Sequence, residues 1–200
     1  MVGVPKVGVL ALQGDVREHA GAVEMAGGAW MSVRRPEDFE TIDALIIPGG
    51  ESTTIGKLAT IYGLIEPLRT AISEGLPTLG TCAGMIFLAA GVTEGVQAQL
   101  GVLDVIVERN AFGRQNESFE ANLEIAGLQE TFRGVFIRAP WVSKVGGAVE
   151  VMAAVDGHPV MVRQGNILAT SFHPELTTDV HIHTMVLQAA ESRHHLDGEP

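Results

Sequence analysis

The 200-residue sequence contains a single cysteine, little aromatic character (5%) and no apolar run of the roughly 20 residues that a membrane span needs. One cysteine cannot form an intrachain disulfide, so nothing ties the fold to an oxidising compartment. The first residues also lack a basic stretch followed by an apolar segment and a cleavage site. These absences predict a soluble, cytoplasmic protein without a membrane partner.

Basic residues are scarce as well. The sequence has 13 Lys and Arg against 24 Asp and Glu, which gives a formal net charge of −11. Binding to the phosphates of nucleic acid requires clustered positive charge, so this balance argues against a nucleic-acid partner. It favours a small polar metabolite or a protein as the partner.

In the first half of the sequence, apolar runs alternate with segments of helical periodicity. The pattern predicts strands at 6–13, 30–35, 43–48 and 76–82, and helices at 16–28 and 52–75, the latter divided near Gly63 and Pro67. Continuous apolar strands that alternate with helices are typical of a parallel sheet covered on both faces. We therefore expect an α/β fold with an open, mainly parallel sheet.

The second half has a different pattern, with short β-type segments separated by turn residues from about residue 101. These segments predict a mixed or antiparallel extension of the sheet, followed by a final helix over about 178–192. The length allows one well-sized core, so we expect a single domain over residues 1–200.

Cys82 lies in the stretch Gly80-Thr81-Cys82-Ala83-Gly84, where a predicted strand gives way to a predicted helix. Glycines on both sides allow a sharp turn that pushes the central side chain outward, as nucleophiles of this G-x-[nucleophile]-x-G form require. The start of a helix just after Cys82 favours its thiolate. The alternative is a cysteine packed in the core, because unpaired cysteines are often buried.

His173 and Glu175 follow the last predicted strand, and their two-residue spacing places both side chains on one side of an extended segment. A nucleophilic thiolate needs a base and an acceptor that orients the base, so we interpret His173 and Glu175 as these partners of Cys82. The turn at Gly49 and Gly50, together with the N–H of Ala83, offers donors for an oxyanion hole. An ordinary loop histidine and a plain turn are the alternatives.

Several motifs together resemble the triad-type glutamine amidotransferases, and more narrowly the glutaminase subunits of pyridoxal 5′-phosphate synthases. The resemblance covers residues 6 to about 188. It depends on the segments GVLALQGDVREH (8–19), PGGESTT (48–54), GTCAGMI (80–86), VERNAFGRQ (107–115), SFEANL (118–123), FIRAP (136–140) and SFHPELT (171–177).

The resemblance implies a flavodoxin-like class I amidotransferase fold and a glutaminase without a cofactor or a metal. Cys82 would attack L-glutamine to give a thioester and ammonia, with His173 moving protons and Glu175 holding His173. Gly50 and Ala83 would form the oxyanion hole. Glutamine would be bound by Gly49, Gly50, Glu51, Arg109, Ile137 and Arg138.

The family also implies a partner, the (β/α)8 barrel subunit that uses the ammonia to build pyridoxal 5′-phosphate, and the segment ALQGD (11–15) would face it. Two alternatives remain at this point. The chain can serve another acceptor, such as imidazole glycerol phosphate synthase, or it can be a non-catalytic partner or sensing module with the same fold. His181 and His183 have an H-x-H spacing, for which we expect a solvent-facing or capping role and no metal.

Overall fold

The computed structural model describes residues 3–112 and 118–197 of the chain, with side chains described up to residue 193. The end of the motif at 107–115 lies outside these residues. No helix within the described ranges is long and apolar enough to cross a membrane.

Strands and helices alternate through the first half of the chain. They are β1 (Lys6–Leu10), α1 (Val16–Met25), β2 (Ala29–Val33), β3 (Ala44–Ile47), α2 (Ser52–Ile61), α3 (Ile65–Ser73), β4 (Thr78–Thr81), α4 (Ala83–Leu88) and β5 (Ala89–Val92), with a 3₁₀ turn at Pro36–Thr41. The second half is mostly strand. It contains β6 (Leu103–Glu108), β7 (Ser118–Leu123), β8 (Phe132–Ile137), β9 (Trp141–Val145), β10 (Glu150–Val155), β11 (His158–Gln164), β12 (Ile167–Thr170), a 3₁₀ turn at Pro174–Leu176 and α5 (His181–Asp197).

Within the described residues, seven strands form the main sheet in the order β10-β11-β12-β4-β3-β1-β2. The pairs from β2 to β12 are parallel, whereas β12, β11 and β10 pair antiparallel. A three-stranded sheet (β5-β6-β9) and the hairpin β7-β8 lie outside this main sheet. The predicted parallel sheet with a mixed extension is therefore present.

The sheet has an apolar layer on each face because its central strands are apolar at successive positions. In β3, Leu45 and Ile47 pack with α2, α3, α4 and the three-stranded sheet, while Ala44 and Ile46 pack with α1, α5 and the hairpin. All four side chains are fully buried. This two-sided burial explains why the strand is a continuous apolar run without alternation.

Some details of the predicted elements are wrong. Pro67 does not divide the helical segment, because it lies in the first turn of α3, where a missing N–H costs nothing, and the break falls at Gly63 and Leu64. Strands β5 and β9 were not predicted, since neither has a long apolar run. The last helix begins and ends later than expected.

Candidate active site

Four neighbouring parallel strands bring the predicted triad and the turn at Gly49 and Gly50 to one edge of the main sheet, whereas Arg109 follows β6 and Ile137 ends β8. In the sheet order β12-β4-β3-β1, each strand ends at the same rim, beyond which ligands bind in open α/β sheets. The segment after β1 therefore lies beside the turn after β3, and Cys82 after β4 lies beside the segment that follows β12.

The pairing of β4 with β12 connects the thiol to the histidine segment. Thr81 is in register with Thr170, and the backbone N–H of Cys82 donates to the Thr170 carbonyl at 2.7 Å. Three residues after Thr170, His173 is held in turn by the hairpin, because its N–H donates to the Val135 carbonyl at 2.8 Å. The main sheet and the hairpin together thus fix two residues that are far apart in sequence.

Cys82 occupies the predicted sharp turn between β4 and α4. Its backbone has φ 48° and ψ −99°, a conformation that costs a non-glycine residue about 1–3 kcal/mol. The flanking glycines are sterically required, because a Cβ at Gly84 would lie 2.1 Å from the Ile47 carbonyl oxygen, and one at Gly80 would lie 2.8 Å from the Gly84 carbonyl carbon. The cysteine side chain is mostly buried but lines a cavity.

His173 lies between the thiol and two carboxylates. Its Nδ1 is 2.7 Å from Glu175 Oε1 and 3.4 Å from Asp15 Oδ2. Burial opposes the charged form of His173, but hydrogen bonds with Asp15, Cys82 and Glu175 outweigh burial and raise the pKa of this imidazole well above its usual range. Burial raises the pKa of Glu175, and the hydrogen bond from His173 acts in the opposite direction.

The cavity beside Cys82 has a volume of about 360 Å³. It is lined by Asp15, Gly50, Glu51, Ser52, Cys82, Ala83, Ile86, Arg109, Asn110, Ile137, Arg138 and His173. A small ligand can therefore contact the thiol, the imidazole and several charged groups at once.

Charged groups of both signs line this cavity. Glu51 caps α2, because its Oε2 accepts hydrogen bonds from the Thr54 N–H at 2.7 Å and from the Thr54 hydroxyl at 2.9 Å. Partial burial opposes ionisation, but these bonds and those with Thr53 lower the Glu51 pKa to about 2. Arg109 Nη2 is 3.6 Å from Glu51 Oε1. A fixed anion beside an arginine suits the ammonium and carboxylate of an amino acid.

The turn at Gly49 and Gly50 is held by the segment that follows β1. The Asp15 N–H donates to the Gly49 carbonyl at 3.2 Å, and the Gln13 side chain accepts from the Glu51 N–H at 2.7 Å. Gly14 has φ +105°, and a Cβ there would lie 1.8 Å from the Gly49 oxygen, so only glycine allows this close approach. The cavity wall at Gly50 is therefore built by two loops together.

Residues 9–192 match the model of the SNO glutamine amidotransferase family. The chain belongs to this family.

Similar proteins cover nearly all of this amidotransferase. It is 56% identical over 188 residues to a Streptomyces coelicolor protein named pyridoxal 5'-phosphate synthase subunit PdxT, which covers 92% of this chain and 93% of that protein. A Mycolicibacterium vanbaalenii protein of the same name is 52% identical over 189 residues, with 92% and 97% covered.

Solved structures agree with this assignment. A crystal structure described as a glutamine amidotransferase is 54% identical, with a TM-score of 0.89, and the match covers 94% of this chain and 100% of that one. The structure of PurLQS from Thermotoga maritima, at 16% identity and a TM-score of 0.69 over 96% of this chain and 99% of that one, shows a shared fold alone. The predicted fold class and family are confirmed.

Most of the site residues predicted for this amidotransferase lie around one cavity. Glu175 lies behind His173 and does not line the cavity. Gly49 also does not line it, but a Cβ at Gly49 would lie 2.4 Å from His173 Cε1, so its lack of a side chain makes room for the imidazole. The other predicted residues line the cavity, namely Cys82, His173, Gly50, Glu51, Ala83, Arg109, Ile137 and Arg138.

Sequence reasoning missed Asp15, Ser52, Ile86 and Asn110 as lining residues. Asp15 was predicted within ALQGD only as part of a partner-facing segment. The available signal was its position just beyond the carboxyl end of a strand, because ligands bind at that rim of an open sheet and Cys82 was selected on the same ground.

Asp15, His173 and Glu175 each offer a donor atom, and these atoms lie within 4.8 Å of one another. The 2.7 Å separation of His173 Nδ1 from Glu175 Oε1 is that of a hydrogen bond. A cation bound between both atoms would have to separate them. We therefore interpret the three groups as proton-handling residues.

We predict that Asp15→Asn lowers the pKa of His173, because it removes a negative charge beside Nδ1. A histidine with a raised folded-state pKa stabilises the fold below its unfolded pKa of about 6.5, and this contribution is lost as pH rises through the folded pKa. The variant should therefore be less stable than the wild type at pH 6, by about 1 kcal/mol or less because Asp15 is partly exposed.

The titration of the His173 ring followed by NMR, and urea unfolding at pH 6, measure these two effects. Glu18→Gln, which changes an exposed acid in the first turn of α1, is the control and should leave the His173 titration unchanged. If His173 titrates at the same pH in Asp15→Asn as in the wild type, Asp15 does not raise the pKa of His173 and the prediction is wrong.

The two histidines of the H-x-H pair have different surroundings. His181 is exposed and caps α5 with Asp179, whose Oδ1 is 2.6 Å from His181 Nδ1. The expectation for His183 is wrong, because His183 is fully buried and contacts His19 of α1. The helical phase of α5 explains the difference, since residues two apart on a helix point in different directions.

Proposed function

We propose that this amidotransferase is the glutaminase subunit of a pyridoxal 5′-phosphate synthase, with Cys82, His173 and Glu175 as its triad. The observation that carries the proposal is the shared cavity. It is lined by the Cys82 thiol, by the His173 imidazole and by the ion pair of Glu51 with Arg109. Relatives at 52–56% identity that are named as subunits of this synthase support the acceptor.

In the first half of the reaction, the Cys82 thiolate attacks the side-chain amide carbon of L-glutamine. Glu51 binds the α-ammonium, and Arg109 and Arg138 bind the α-carboxylate, so the amide lies beside the sulfur. The N–H groups of Gly50 and Ala83 stabilise the oxyanion, a contribution typically of about 3 kcal/mol per donor. His173 transfers its proton to the amide nitrogen, the C–N bond breaks, and ammonia leaves a γ-glutamyl thioester.

In the second half, water attacks the thioester carbon while His173 accepts a proton from that water. The C–S bond breaks, glutamate leaves, and Cys82 regains its thiolate beside the imidazolium. Glu175 remains hydrogen-bonded to His173 Nδ1 in both halves, so the ring presents its other nitrogen to the substrate.

The partner in this proposal is the (β/α)8 barrel subunit that consumes the ammonia. Free ammonia becomes protonated in neutral water, so delivery requires a docked partner and an enclosed path. The segment 11–15 is the proposed contact, because it connects the rim of the cavity with α1. Docking there would act directly on Asp15 and on the turn at Gly49.

The test is glutamine turnover by the purified chain, measured as glutamate and ammonia, with and without the cognate barrel subunit. We expect turnover and pyridoxal 5′-phosphate formation when both subunits are present. A glutamine-like electrophile such as a diazo ketone analogue should label Cys82 and no other residue.

Two outcomes would contradict the proposal. If the Cys82→Ala variant still supports pyridoxal 5′-phosphate formation from glutamine, the chain is a non-catalytic partner. Stimulation of glutamine turnover by an imidazole glycerol phosphate synthase subunit, and not by the pyridoxal phosphate barrel, would favour the other acceptor.

A further inference from the structure

Behind the triad lies a second pair of histidines that the proposed reaction does not use. His19 of α1 and His183 of α5 are both fully buried, and neither lines the cavity. His19 Nδ1 is 3.0 Å from His183 Nε2. The other nitrogen of His19, Nε2, is 3.1 Å from Thr81 Oγ1 and 3.4 Å from Glu175 Oε2.

Glu175 is therefore contacted from two sides. Its Oε1 accepts the hydrogen bond from His173, whereas its Oε2 is buried without a hydrogen-bond partner among the described residues. His19 Nε2 is the ring nitrogen beside this second oxygen. A buried carboxylate is costly to keep ionised, and Glu175 must be ionised to hold the proton on His173 Nδ1.

The hydrogen bond between the two buried rings allows two arrangements. In the first, His183 Nε2–H donates to His19 Nδ1, so His19 carries its proton on Nε2, next to Thr81 and Glu175. In the second, His19 Nδ1–H donates to His183, and a lone pair of His19 Nε2 faces the carboxylate oxygen of Glu175. The first arrangement is favourable electrostatically and the second is repulsive.

The far side of His183 supports the first arrangement. His183 Nδ1 is buried and has no hydrogen-bond partner among the described residues. In the first arrangement this nitrogen has only an unpaired lone pair, whereas in the second it is a buried N–H without an acceptor. Orphaned buried N–H groups are the rarer of the two in proteins.

Both rings are neutral near pH 7. Burial, followed by the charges of His183 and His173, lowers the pKa of His19 well below its usual range, and burial lowers the His183 pKa to about 4. In the part of the chain that the structure describes, the ionisable groups that face Glu175 are His173, His19 and Asp15. A neutral His19 offers Glu175 an N–H dipole without adding a positive charge that would compete with the His173 imidazolium.

We propose that His19 is a positioning residue for Glu175, and that His183 holds His19 in the tautomer with its proton on Nε2. The role of Glu175 in this scheme rests on the proposed function. The pair keeps the second oxygen of Glu175 beside an N–H group, so that the first oxygen stays available to His173. The triad is thereby extended by one residue from α1 and one from α5.

Kinetics of His19 variants in the complex with the barrel subunit test this role. In His19→Met the carboxyl of Glu175 should protonate at higher pH, so the acidic limb of kcat/KM for glutamine moves to higher pH. At pH 7 we expect a loss of about tenfold to a hundredfold, by analogy with residues that orient metal ligands through a hydrogen bond. His19→Gln keeps an N–H donor and should recover most of the activity and the wild-type limb.

His181→Gln is the control, because it changes an exposed histidine on the same helix as His183 and should leave the profile unchanged. A purely structural role for His19 would lower kcat/KM by the same factor at every pH. A His19→Met profile that superimposes on the wild type after scaling would therefore overturn the proposal.

NMR of the wild-type chain keeps the proposal testable if the variants do not fold. Nitrogen-15 spectra of the histidine rings should show His19 and His183 as neutral Nε2–H tautomers from pH 5.5 to 8.5. An Nδ1–H tautomer of His19, or titration of either ring near pH 6.5, would overturn the proposal. This measurement needs no glutamine, so absence of turnover in the wild-type complex would reject the proposed function separately.

Discussion

Cys82→Ala is expected to abolish formation of pyridoxal 5′-phosphate from glutamine in the reconstituted synthase, by at least about a thousandfold, because no other group in the cavity can form the thioester. Synthesis from added ammonium salts should continue at the wild-type rate, since the barrel subunit then receives ammonia from solution. The measurement is the absorbance of pyridoxal 5′-phosphate with each nitrogen source in turn.

Two further variants separate the chemistry from the fold. His173→Asn should prevent formation of the thioester, because the base is lost while the thiol remains. Cys82→Gly should be as inactive as Cys82→Ala but more stable than it, because glycine removes the about 1–3 kcal/mol cost of the backbone conformation at φ 48°. Equal glutamine-dependent synthesis by Cys82→Ala and the wild type would reject the thioester mechanism.

Gly84→Ala is expected to destabilise the fold by about 3 kcal/mol, because the new Cβ would lie 2.1 Å from the backbone oxygen of Ile47 and neither group can rotate away. For a chain of this size the midpoint of thermal unfolding should fall by about 6–12 °C. Separation of α4 from β3 would also move Cys82 relative to Gly50, so glutamine turnover should decrease as well.

Gly21→Ala is a matched control, since Gly21 also lies within a helix but has open space where the Cβ would be. Alanine is the better helix former, so this variant should be unchanged or more stable by about 0.5–1 kcal/mol. Equal unfolding midpoints for the two alanine variants would show that the close contact between α4 and β3 does not determine the stability of the fold.

The sequence was sufficient to predict those features that depend on strand ends. Cys82, His173 and Gly50 each follow an apolar strand, and parallel strands end at a common rim, so their convergence could be expected. The family motifs added Arg109 and Arg138, which strand ends alone do not distinguish from surface arginines.

Features that depend on packing between distant elements were not predictable in the same way. His19 and His183 meet only because α1 and α5 cover the same face of the sheet, and no periodicity shows which helices will be neighbours. Asp15 reaches His173 because Gly14 lets the β1 loop approach Gly49. Strands β5 and β9 flank β6 in a small sheet, and β9 pairs with β6 although β7 and β8 lie between them in the chain.

The hydrogen bond from Cys82 to Thr170 has a consequence for how this enzyme can vary. The parallel pairing of β4 with β12 places the cysteine segment beside the histidine segment, and from the intervening chain β8 holds His173 through the Val135 carbonyl. Insertions at turns of this intervening segment that lie away from the cavity, such as the turn between β10 and β11, should therefore be tolerated by catalysis. A one-residue slip between β4 and β12 would instead turn one of the two side chains to the opposite face and leave the nucleophile without its base.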